Sequence, residues 1–205
     1  MEIPQREYWR KGIHFAGVFF IPVLFWRRWI FAALVAVFLV AYLIVETQLK
    51  KQRRIPLLTR LATHSKRESE EGKISQGAIL LCLSSLLLPY LLGVWPAAVG
   101  LSQVFAADAT ATWAGIKWGD KKLPFSSKKS WVGSGVYFAT AFLVALPFAP
   151  VWQAAVLALA GTLVEALPFE DIDNATIPVA VGLLALALGL RGNQINSLFN
   201  FKTYF

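Results

Sequence analysis

Residues Trp29–Val45 read WIFAALVAVFLVAYLIV, seventeen positions without a Lys, Arg, Asp, Glu, Asn or Gln. A helical block approaching 20 apolar residues crosses a hydrocarbon core of roughly 30 Å. The block has companions in Ile79–Trp95 and Ala175–Leu190. None shows the period-2 alternation of a membrane barrel strand, and helices satisfy their own backbone in lipid. Working outward, seven apolar segments follow, at roughly 12–26, 28–49, 75–94, 96–117, 131–149, 151–168 and 174–190. The first is short and holds Pro22, so a tilted or re-entrant path is expected there. The fold expected is all-α: a polytopic integral membrane bundle of about seven transmembrane helices. It forms one domain over 1–205, with a polar N-terminus at 1–11 and loops at 50–74 and 118–130.

Composition agrees. Of 205 residues, 57% are hydrophobic and 16% charged, and mean hydropathy is +0.55. A soluble domain of this length carries far more polar surface. Trp9, Trp26, Trp29, Trp95, Trp118, Trp131 and Trp152 mark segment ends, as in an interfacial aromatic belt. The net charge of +8 suggests orientation rather than a nucleic-acid partner, because the basic residues sit between apolar blocks. With seven spans, the N-terminus and the loops 50–74, 117–130 and 169–173 share one side. That side holds sixteen Lys and Arg, against Arg27, Arg28, Arg191 and Lys202 on the other. The first side is therefore expected in the cytoplasm. The lone Cys82 lies in an apolar run and reads as core. Met1–Lys11 lacks the order of a signal or transit peptide, so none is expected, and a prokaryotic plasma membrane is the expected location.

Four polar sets stand out. Glu7, Arg10, Lys11 and His14 fall along one face of a helix at the start of the chain. The blander reading is a snorkelling basic anchor. Asp108, among small residues in an apolar segment, is costly at membrane depth and so faces a polar cavity or a cation. The loop Gly119–Gly135 carries Lys121, Lys122, Lys128 and Lys129, with Ser130, Gly133 and Ser134 at a helix start, where free N–H groups suit phosphate. It is not a Walker A loop. Finally, Glu165, Glu170, Asp171, Asp173 and Asn174 precede an apolar helix. Oxygen ligands at this density suit Mg²⁺, and Asp173 or Asn174 also suit a cap, with Pro178 in the first turn. All four sets fall at the same ends of their segments. Carboxylates and a lysine-rich loop on one membrane face make a metal–nucleotide site, and a lipid hydroxyl approaches it from the side.

These residues resemble the polyprenol kinase family: dolichol kinases, phytol kinases and CTP-dependent diacylglycerol kinases, distant relatives of the phosphatidate cytidylyltransferases. The likeness rests on Glu7, Arg10, Lys11 and His14, and on Glu71-Gly72. It continues through Asp108, Ala109, Ala111, Gly115 and Gly119, then Lys129, Ser130, Gly133 and Ser134. It ends with Asp173, Asn174, Thr176, Ile177 and Pro178, with Glu165 upstream. It implies γ-phosphate transfer from CTP to a lipid alcohol, with Mg²⁺. By that resemblance Asp108 and Asp173 hold Mg²⁺ with Asn174 and Glu165 in support. Lys129, Ser130, Lys121, Gly133, Ser134 and Gly119 form the nucleotide loop. Arg10, Lys11 and His14 contact phosphate or head group, and Asp108 or Glu165 serves as base. One departure is Val132, where the family's loop usually has Glu; Glu165 or Asp120 then stands in. Two rival readings remain: a phosphatidate cytidylyltransferase, whose long signature is absent, and a small transporter or channel lined by Asp108 and Glu165. Expected partners are a membrane lipid and a nucleotide, and a homodimer stays open.

Overall fold

The computed structural model describes residues 5–51, 74–124, 126–168 and 172–190. Most of the 50–74 loop, with Glu71-Gly72, lies outside the described residues, as do Glu170, Asp171, Arg191 and Lys202.

Segment one is a broken path. α1 (Gln5–Ala16) gives way to a 3₁₀ turn (Gly17–Phe20) and then to α2 (Ile21–Trp26). Pro22 sits in the first turn of α2, where a missing N–H costs nothing. Arg27, with extended backbone, redirects the chain into α3 (Arg28–Lys50). α4 (Gln76–Leu91) ends before Gly93, whose φ of +91° is a conformation open to glycine. α5 (Val94–Ser102), a π-helical turn (Gln103–Ala107) and α6 (Asp108–Trp118) follow with right-handed helical backbone at both junctions. They form one rod of ~37 Å. After Gly119 comes a hairpin, β1 (Lys122–Leu123) and β2 (Ser126–Ser130). It leads into α7 (Trp131–Ala145), α8 (Val151–Ala166) and α9 (Asp173–Ala187).

The rod is the centre. From Ala97 to Ala109 almost every residue is buried, and α1, α7 and α9 pack around it. α9 crosses α5 at glycines: a Cβ on Gly100 would strike the Pro178 carbonyl, and one on Gly182 would meet Leu92. α7 lies between α6 and α8, where Ala141, Ala145, Ala154 and Ala158 have no exposure. Small residues inside let backbones approach closely. Many large apolar side chains point outward: Phe19 is 74% exposed, Val37 67%, Leu91 70% and Leu143 62%. That is the reverse of a water-soluble domain.

The two ends of the bundle are distinguishable. At one, the Ser75 N–H donates to the Tyr42 hydroxyl (2.9 Å), joining the end of α3 to the start of α4. At the far end Phe25 stacks on Phe148 and meets Trp95 edge-on. α3 runs from the far end back to the first.

The helical class holds, with one correction: the hairpin β1–β2 stands where no strand was expected. Lys122 pairs with Ser130 and Leu123 with Ser126 across the turn at Pro124. Its few residues show too little alternation to announce a strand. Among the described helices, α3 alone has the length and composition to cross a membrane; α4, α7, α8 and α9 are apolar but 15 or 16 residues long.

Candidate active site

Two buried ion pairs, built from four elements, form the centre. Lys11 of α1 donates to Asp108 at the start of α6; their side chains are 2% and 1% exposed. Lys129 of β2 donates to Glu165 at the end of α8 at 2.5 Å. The pairs sense one another. Lys129 and His14 both act electrostatically on Asp108, and Asp173 acts on Lys129 and Lys11. Burial alone would depress the Lys129 ammonium, but Glu165 and then Asp108 hold it above its ordinary value. It stays a cation at neutral pH.

Local structure explains each placement. α1 winds Arg10, Lys11 and His14 onto its buried face, and Arg10 is clamped by Glu7 at 2.8 and 3.2 Å. The π turn sets the rotation of the rod just before Asp108, and such wide turns recur at functional sites. Alternation along β2 leaves Lys128 exposed, turns Lys129 inward, and the strand's last residue, Ser130, is buried. The Ser126 hydroxyl accepts from the Lys129 N–H at 3.1 Å and holds the strand. Asp173 accepts from the Asn174 N–H (2.9 Å), and Asn174 donates its amide to the Gly77 carbonyl (2.9 Å), tying α9 to α4.

Ser130, expected at the phosphate loop, has a structural task in its own right. Its hydroxyl accepts from the Gly133 N–H at 3.1 Å as the N-cap of α7. It also sits against Gly115, Gly119 and Gly133: a Cβ on Gly115 or Gly133 would come within 3.1 Å of its oxygen. The glycines of the motif thus let α6 meet the start of α7. Ser130→Ala is expected to lower stability by about 1 kcal/mol, and Ser130→Gly by only a few tenths, in unfolding measured in detergent. Lys121 stays on the exposed hairpin, where its carbonyl accepts from the Trp131 N–H at 3.1 Å.

Oxygens suited to a cation are present. Glu165 Oε2 and Asn174 Oδ1 are buried and have no hydrogen-bond partner among the described residues. No group of three or more His, Cys, Asp or Glu forms a ready-made metal cage among those residues. Oxygens of this kind are ones that Mg²⁺ takes together with phosphate oxygens.

Sequence reasoning missed two core residues. Gln103, in the π turn, is fully buried and accepts from the Tyr137 hydroxyl of α7 at 3.4 Å. A glutamine five positions before Asp108 in an apolar run was the available signal. It also missed a cavity of about 470 Å³ walled by α1, the 3₁₀ turn, α3, α4 and Phe105, with Arg10, His14 and Tyr42 among few polar groups.

Comparison with known proteins adds a lineage. A wheat protein named "Probable phytol kinase, chloroplastic" is 37% identical over 115 aligned positions, covering 48% of this chain and 38% of that protein. A soybean protein of similar name, "Probable phytol kinase 2, chloroplastic", is 36% identical, over 44% of this chain and 37% of its own length. "Phytol kinase 1, chloroplastic" of Arabidopsis thaliana is 27% identical, over 42% and 34%. Over the matched stretch the chain is similar to these phytol kinases. The match spans little more than a third of each of these relatives. No protein-family model and no solved structure matches the chain significantly. The relatives' names overturn one expectation: they are chloroplastic plant proteins, which points to a plastid membrane and away from a prokaryotic plasma membrane. A family likeness alone carries no address, and the charge skew reports orientation, not organelle.

Proposed function

We propose that this protein is a lipid-alcohol kinase that moves the γ-phosphate of CTP to the hydroxyl of a prenol-type lipid. The observation that carries the reading is the convergence of Lys11, Asp108, Lys129 and Glu165, from four elements, beside an apolar cavity. The phytol kinase names of the relatives support the reaction class. The outward-facing apolar side chains support a polytopic membrane bundle, with the rod Val94–Trp118 and α3 as its longest spans.

Phosphoryl transfer asks a protein for position and charge more than for covalent chemistry. Lys129, on a strand next to the exposed lysines of the hairpin, takes the triphosphate as its partner in place of Glu165. Glu165, Asp173 and Asn174 Oδ1 are the residues that would hold Mg²⁺, which when bound would offset charge on the transferring group. Asp108, joined to α1 through Lys11, orients the lipid hydroxyl and accepts its proton. Lys11 holds that carboxylate in place. With Asp108 so occupied, the Val132 departure removes an acid the centre does not need.

The test is transfer from γ-labelled CTP, with ATP in parallel, to phytol, polyprenols and diacylglycerol by the purified protein in nanodiscs with Mg²⁺. Label in a lipid supports the proposal and names donor and acceptor. CDP-lipid and pyrophosphate from phosphatidate would instead make it a cytidylyltransferase.

A further inference from the structure

The cavity has a head and a floor. α3 lines it from Phe31 to Val45, ~21 Å of helix axis. Because α3 rises from the far end of the bundle, Phe31 and Leu34 lie low and Tyr42 and Val45 high. α1 descends the other way, so Arg10 and His14 lie high and Phe20 low. The polar groups Arg10, His14 and Tyr42 therefore gather at the end where Lys11, next to Arg10 in the chain, meets Asp108. Below them the wall is aliphatic and aromatic apart from Ser85 and Cys82. At roughly 30 Å³ per water-sized group, 470 Å³ takes on the order of fifteen chain carbons. Two long acyl chains do not fit that volume.

We propose that this cavity seats the hydrocarbon tail of a single-chain lipid alcohol, hydroxyl up beside Arg10 and His14, and that its floor sets the chain length admitted. The inference rests on the lipid-alcohol kinase reading and adds to it where the tail lies and what limits its length. A tail reaching past Phe20 and Phe31 has to leave the cavity sideways, so selectivity falls off beyond that length.

Two farnesol analogues test it in the whole protein without turnover, one with a diazirine at the tail tip and one with it beside the hydroxyl. The expected result is cross-linking of the tail probe to Phe31 and Leu34 and of the head probe to Tyr42, Val45 and Ala78. Labelling of the same residues by both probes, or of outward residues such as Leu143 and Leu163, would overturn the proposal. Correct cross-links without phosphate transfer would leave the tail site standing and sink the kinase reading; transfer with misplaced cross-links would do the reverse. Val35→Phe fills the floor of the cavity, and the ratio of geranylgeraniol to geraniol phosphorylation is expected to fall about tenfold. Equal losses for both alcohols count against the ruler. Ser85→Leu, lower on α4, repeats the test should the first variant fail to fold.

Discussion

Asp108→Asn abolishes lipid phosphorylation and destabilises the protein by about 3–5 kcal/mol, because the ammonium of Lys11 is left buried and unpaired. The decisive measurement is a double-mutant cycle with Lys11→Met, read both by unfolding in detergent and by label transfer. Lys11→Met restores most of the stability lost in Asp108→Asn, since neither charge is then stranded. It restores no activity, because the group that orients the hydroxyl is still missing. Additive stability losses would mean that the two side chains are not paired in the folded protein. Activity in Asp108→Asn would remove it from the chemistry.

Lys129→Met lowers transfer by about 10²–10³, the loss that follows removal of one preorganised contact to the transferring group. The fall belongs in kcat as well as in KM for CTP, since Lys129 meets the charge that develops during transfer. Glu165→Gln is the companion variant. It frees Lys129 in the resting protein but withdraws a carboxylate oxygen from the cation, so the Mg²⁺ concentration for half-maximal rate rises. Near-wild-type rates in Lys129→Met would reduce the β1–β2 hairpin to an orienting basic loop.

Much of this architecture could be read from the linear pattern. The segment boundaries at 131, 151 and 174 fall within a residue of the starts of α7, α8 and α9, because Ser130, Pro150 and Asp173 punctuate apolar runs. Pro22 correctly marked the first segment as irregular, and the broken path α1–α2 follows from it. The hairpin escaped notice because a five-residue Ser-Lys strand has no apolar face to betray it. The partnerships escaped for another reason. Lys11 and Asp108 are 97 positions apart and Lys129 and Glu165 are 36. Nothing local says which cation meets which acid; that is decided by how the rod Val94–Trp118 is clasped by α1 and α7. The same holds for Ser130, whose fit against Gly115, Gly119 and Gly133 depends on how α6 meets the start of α7.

The internal pairing of the resting centre bears on what it ignores. A bilayer presents anionic headgroups in vast excess over any nucleotide, and bare lysines at its surface would be permanently fouled by them. Here Lys11 and Lys129 are each already answered by a carboxylate in a poorly hydrated setting. A monoanionic phosphodiester offers too little to displace either acid. A triphosphate arriving with its own divalent ion brings replacements for both halves of the exchange at once. On the proposed kinase reading, ion pairs that look like ordinary structural contacts thus screen the centre against the membrane's most abundant competitor.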